Sequence, residues 1–157
     1  MIEVDLASER RAVADVFLLG PADRFAQVVG VLLSRRGAGL GQQIRLEIHG
    51  TGTSLVPNIR KILDHAAHRN VGVTWNSNQS DLEGGGFDHN FDLVKDSIFC
   101  VHMRDLYLDE YPFRRLLTLL NESGFQGYCL AEIPDSKDPV RVMRYFRSLW
   151  LAYQGLL

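Results

Sequence analysis

Short apolar runs alternating with longer stretches of helical period constrain this chain more than any other feature. Repeated strand-helix units have few stable arrangements other than helices packed on a parallel sheet. The apolar runs fall at residues 14–20, 44–49, 71–76, 97–103 and 128–133. After the first, residues 24–36 carry Phe25, Val28, Val29, Leu32 and Leu33 at helical spacing and end at Gly37 and Gly39. After the second, Ser54 is expected to cap a helix whose Leu55, Ile59, Ile62, Leu63 and Ala66 share a face. The third run leads into a polar loop over 77–90 containing Gly84, Gly85 and Gly86, and then a short helix over 91–95. Pro112 opens the next helix, with Phe113, Leu116, Leu117 and Leu120 on one side and Gly124 as its stop. Asp138 and Pro139 supply the N-cap and first-turn proline of the last, where Val142, Phe146, Leu149, Trp150 and Tyr153 form the buried stripe. The expected architecture is α/β, with about five parallel strands and helical crossovers in one domain over 14–157; residues 1–13 are left unassigned.

An eight-stranded barrel of such units takes about 250 residues, and this chain has 157. A partial barrel is therefore expected, with open edges that a second copy or the N-terminal segment covers unless the chain is a truncated piece. The apolar faces of strands 44–48 and 98–101 are expected to lack an opposite wall, which points to a homo-oligomer. Seventeen Lys and Arg against nineteen Asp and Glu give a formal charge of −2, so no positive field draws the chain to nucleic acid or an anionic membrane. No apolar run approaches the roughly 20 residues of a membrane-spanning helix, and the opening residues mix apolar with charged side chains rather than building a signal peptide. Cys100 and Cys129 lie in apolar runs without a CxxC spacing, as reduced buried thiols do. A cytoplasmic location is expected.

Ligands of parallel sheets collect at the carboxyl ends of the strands, and four strands end on a polar residue: Glu47, Asn76, His102 and Glu132. They are 29, 26 and 30 residues apart, about one strand-helix repeat each, so they stand on neighbouring strands at one level. Two carboxylates, an imidazole and an amide oxygen suit a divalent ion such as Mn²⁺ or Mg²⁺, with Zn²⁺ borderline. The plain alternative is two strand-end glutamates paired with arginines and a hydrogen-bonded core histidine.

Arg45-Leu46-Glu47-Ile48-His49, Val73-Thr74-Trp75-Asn76-Ser77-Asn78-Gln79, Val101-His102-Met103-Arg104-Asp105 and Leu130-Ala131-Glu132, in that order, resemble the sugar phosphate isomerase/epimerase family with the xylose isomerase-like TIM barrel. The resemblance covers about residues 14–157 and matches the C-terminal half of that barrel; the H-x-[KR]-D element at His102–Asp105 is its most specific piece. It implies a partial (β/α)8 barrel that moves a proton to and from the carbon beside the carbonyl of a ketose or related sugar. Glu47, Asn76, His102 and Glu132 would hold a divalent metal (Mn²⁺, Mg²⁺, Co²⁺ or Zn²⁺), with Glu47 and Glu132 also as the acid/base pair. His49, Gln79 and Arg104 are candidates for contacting a small-molecule sugar. Two departures stand out. The family's W-D-x-x-H reads Trp75-Asn76-Ser77-Asn78-Gln79 here, replacing a carboxylate by an amide that coordinates through its oxygen but brings no charge, which weakens the metal site. Gln79 replaces an imidazole and cannot act as a base near neutral pH. These replacements, with the absent first half of the barrel, support a second expectation: a weakened barrel half serving as a binding or assembly module.

Other polar groups carry less. His65 and His68 read as helix surface rather than a zinc pair, Asp88 and His89 as part of the glycine-rich loop, and Arg141, Arg144 and Arg147 as a solvated helix face. Trp75, Phe87, Phe91, Tyr107 and Tyr111 lie near strand ends, where core packing competes with lining a sugar pocket.

Overall fold

In the computed structural model of the chain, the residues described are 2–5 and 43–157. Five strands form one sheet in the order β1 (Ile2–Asp5), β2 (Gln43–Glu47), β3 (Val71–Trp75), β4 (Ile98–Met103) and β5 (Tyr128–Ala131). The four strands from β2 to β5 are parallel, with α1 (Val56–Ala66), α2 (Phe87–Val94) and α3 (Phe113–Glu122) in the crossovers and α4 (Pro139–Tyr153) after β5. This is the expected α/β partial barrel. The strand expected at 14–20 and the helix expected at 24–36 lie outside the described residues.

β1 falls within the segment that sequence reading left unassigned, and it pairs antiparallel with β2, Ile2 opposite Leu46 and Asp5 opposite Gln43. The β2 edge is therefore occupied, and β1 is the edge strand on that side.

Alternation assigns the sheet's two faces. Ile44, Leu46, Val71, Val73, Trp75, Val101 and Met103 are buried with the helices in the core, while Glu47, Thr74 and Cys100 are matched in register on the other face, as are His102 and Leu130. This corrects the expectation that strands 44–48 and 98–101 expose apolar faces. Ile44, Leu46, Ile48, Ile98 and Val101 are all buried, because their side chains lie on the helix-covered side or within the core. Exposed apolar area sits at β5 instead, where Tyr128 is 73% and Leu130 43% accessible.

Local chemistry moves several element ends. α1 begins at Val56 behind Leu55, with proline in its first turn and no side-chain cap; Ser54 does not cap it, because Leu55 occupies the N-cap position and Ser54 lies one residue before it. α2 starts at Phe87, after Gly86 in a left-handed conformation (φ 88°), so Asp88 and His89 open a helix rather than line a loop. Asp88 takes a bidentate ion pair from Arg115 there. Asn90, polar yet buried, donates to the Asp81 and Glu83 carbonyls and ties the preceding loop to the helix. The Asp138 cap is present, accepting from the Arg141 N–H. The stripe on α4 is only partly buried, since that helix packs at the edge of the sheet. Phe87, Phe91, Trp75 and Tyr111 form an edge-to-face aromatic cluster in the core, whereas Tyr107 is exposed. No helix of the described residues is long and apolar enough to cross a membrane.

Candidate metal centre at the strand ends

Glu47 is the last residue of β2, His102 lies near the end of β4, and Glu132 follows β5, held in line by its N–H to the Met103 carbonyl. His102 Nδ1 stands 3.6 Å from a Glu47 carboxylate oxygen and 3.7 Å from one of Glu132. One ligand atom from each of the three residues falls within 4.8 Å of the other two. Sequence spacing alone brings these three to one point, because each crossover returns the chain to the same end of the sheet.

The electrostatics are uneven. Burial raises the Glu47 carboxyl, but the surrounding positive groups, His102 foremost, outweigh that, and its pKa lies below the usual value. The nearby Cys100 thiol, then the Glu47 carboxylate, push His102 up to about 10 against its burial. The two carboxylates favour a proton on the ring, which an ion bound at this point would displace. Glu132 is open, with a side chain 56% accessible against 8% for Glu47.

Asn76 lies just beyond β3 and is 5% accessible. Its amide nitrogen is 3.2 Å from His49 Nδ1 and donates to it, which leaves the buried Oδ1 with no hydrogen-bond partner. Such an acceptor is costly unless something supplies a positive partner. His49, expected on the Glu47 face, is exposed at the rim, and Gln79 is exposed in the 3₁₀ turn Gln79–Leu82. Arg104 is half-buried, and its Nε donates to the Ser77 carbonyl at 3.0 Å.

The segment between Asn76 and that turn is held by a network not foreseen from the sequence. Ser77 is buried with φ 50°, a left-handed conformation costing about 1 kcal/mol for a non-glycine residue. It is fixed by its hydroxyl donating to the His102 carbonyl at 2.8 Å and by Arg104. The Asn78 side chain donates to the Ile48 carbonyl. Asp81, fully buried, accepts from the Asn78 N–H at 2.9 Å and the Tyr111 hydroxyl at 2.7 Å, and that hydroxyl accepts from Trp75 Nε1 at 2.8 Å. Burial raises the Asp81 carboxyl to about 6 against these hydrogen bonds. The Asn-x-x-Asp spacing of Asn78 and Asp81 was the available signal, since it is the pattern of a side chain capping its own turn. The alternation of Cys100 and His102 was the other.

No family model matches the chain, and no curated protein is significantly similar to it. Among solved structures, the 3-keto-D-glucoside 4-epimerase of E. coli, in its apo form, matches with a TM-score of 0.62 at 18% identity over 83% of this chain and 51% of its own. A xylose isomerase domain protein of Planctomyces limnophilus matches with a TM-score of 0.60 at 20% identity over 85% of this chain and 52% of its own. This chain thus spans about half the length of the structures it matches. With its parallel strands, helical crossovers and polar strand ends, the chain has a xylose isomerase-like fold, as a partial TIM barrel.

Proposed function

We propose that this chain is a metal-dependent sugar isomerase/epimerase-like protein that moves a proton at the carbon beside the carbonyl of a ketose or related sugar. The observation that carries this reading is the convergence of Glu47, His102 and Glu132 at three strand ends. Ligand atoms within 4.8 Å of one another suit an ion with bonds of about 2.0–2.2 Å, and the unsatisfied Asn76 Oδ1 supplies a further neutral donor. The donor set of carboxylate, imidazole and amide oxygen fits Mn²⁺, Mg²⁺ or Co²⁺, and Zn²⁺ less well; the missing charge at Asn76 weakens the site. A bound ion would polarise the sugar carbonyl and so acidify the adjacent carbon.

The remaining chemistry belongs to the side chains. Glu47, ionised and shielded from water, is suited to accept a proton from carbon, and Glu132, across His102, to return one to the other face or to the neighbouring carbon. His49 and Gln79 offer hydrogen bonds to sugar hydroxyls from the rim. Arg104 braces the Ser77 turn and has a further donor for an anionic substituent. The two thiols are unpaired, which fits a cytoplasmic setting.

The test is solvent exchange. Loaded with Mn²⁺, Mg²⁺ or Co²⁺ in D₂O, the chain is expected to place deuterium on the carbonyl-adjacent carbon of at least one ketose in a panel, by NMR, and Glu47→Gln or Glu132→Gln is expected to abolish it. Absence of exchange throughout the panel overturns the reading. The open Glu132 side chain favours a second reading, a weakened half that binds without catalysis; metal binding with no exchange would select it.

A further inference from the structure

Among the described strands the sheet has two edges, the antiparallel β1, paired only with β2, and the parallel β5, paired only with β4, and it is β5 that carries exposed apolar side chains. Alternate residues of a parallel strand turn their N–H and C=O to opposite sides, and the Glu132 N–H bonds to the Met103 carbonyl of β4's side. The N–H and C=O of Cys129 and Ala131 therefore point away from the sheet. Apolar surface flanks them on both faces. On the helix side lies a cleft of about 660 Å³ lined by Cys129, Ala131, Val140, Met143, Phe146 and Trp150, among others; on the other face stand Tyr128 and Leu130. β5 carries no lysine, proline or charge of the kind that protects exposed edges.

We infer that β5 is the interface with a second copy of this chain, paired antiparallel about a two-fold axis through Leu130. The outward-facing groups at Cys129 and Ala131 are symmetric about that residue. In an antiparallel pair they set Cys129 against the partner's Ala131 and Leu130 against the partner's Leu130 in a non-hydrogen-bonded position, where side chains approach closely. Charge agrees with this orientation. Glu132, Asp135 and Asp138 follow β5 at its carboxyl end, while α4 runs back along the sheet carrying exposed Arg144 and Arg147. Inversion by the two-fold brings the acidic end of each copy toward the basic stretch of the other. A complementary half-barrel fits less well, because a parallel barrel closes on the edge of β2, and the antiparallel β1 lies along it. Four residues of ladder are short, so the α4 clefts supply the remaining contact.

The same register places the partner's Tyr128 across from Glu132, two residues either side of the axis. A phenol from the second copy thus walls the exposed side of the strand-end site. That consequence rests on the proposed function; the dimer itself does not.

Sedimentation equilibrium of the 157-residue chain, wild type and Leu130→Lys, tests the inference together with mild oxidation of Leu130→Cys. The wild type is expected to sediment at twice its chain mass. Leu130→Lys, which sets like charges across the axis, is expected to sediment as a monomer with an unchanged circular dichroism spectrum. Leu130→Cys is expected to cross-link into a covalent dimer, while Thr118→Cys, on the exposed side of α3, is not. A monomeric wild type overturns the inference, and if the Cys129 and Ala131 amides are then protected from hydrogen exchange the occupant is a segment of the same chain. A dimer that survives Leu130→Lys without cross-linking of Leu130→Cys overturns it as well. Mn²⁺ titration of the wild type, diluted until it sediments as a monomer, reads the metal site separately.

Discussion

In the proposed metal site, Asn76 would set how strongly an ion is held. Its buried Oδ1 has no partner while its amide nitrogen is committed to His49, so the oxygen is already desolvated and would add a donor without charge. Asn76→Asp restores a negative charge beside Glu47 and Glu132 and is expected to tighten Mn²⁺ binding by roughly tenfold or more in calorimetric titration; an unchanged affinity would count against an ion at this position. Asp81 supplies a second test. Its folded pKa of about 6 lies above the ordinary 3.8, so the native state takes up a proton before the unfolded chain does as pH falls. Stability from this group is present below the unfolded value and is lost as pH rises through about 6. Asp81→Asn removes the titration. In urea melts its stability relative to wild type is expected to be more favourable at pH 7 than near pH 4, by on the order of 1–3 kcal/mol, and an equal difference at both would contradict the assignment.

At the scale of elements, the site depends on β3, β4 and β5 keeping register, and two glycines permit it. A Cβ on Gly127 would stand 2.3 Å from the Phe99 carbonyl oxygen, and one on Gly72 would stand 2.5 Å from that of Ser97. Backbone cannot yield as a side-chain tip does, so Gly127→Ala is expected to push β5 off β4, lower the melting temperature and weaken Mn²⁺ binding by displacing Glu132. A variant with unchanged melting and metal affinity would show that β5 is not clamped there. Tyr111→Phe removes the hydroxyl between Trp75 and Asp81, leaving two buried polar groups short of partners at a cost of about 2–4 kcal/mol. Much at this scale was legible: β3 is buried throughout and reads as a continuous apolar run, and Asp138 and Pro139 announce α4. The start of α2 was not, because Asp88, His89 and Asn90 look like loop while Asn90 is buried to satisfy loop carbonyls. Nor was β1, four residues with Glu3 and Asp5 among them, whose place depends on an edge supplied by β2.

For the whole molecule, periodicity specified the strand-helix order and the level at which Glu47, His102 and Glu132 meet, since both follow from a fixed repeat length. It did not specify which face of each strand meets the helices. The apolar run from Ile98 to Met103 offers hydrophobic residues to both sides, and the register shifts between Val73 and Thr74 in a way no spacing rule anticipates. The exposed apolar surface therefore lies on β5 and α4 rather than on β2 and β4. A half-barrel that keeps a converged strand-end site is the central claim, and its most direct measurement is Mn²⁺ titration of the wild type beside His102→Ala and Glu132→Gln. One site per chain is expected, with affinity lost in both variants while the melts remain cooperative. No binding by the wild type, or binding that both variants retain, would contradict it.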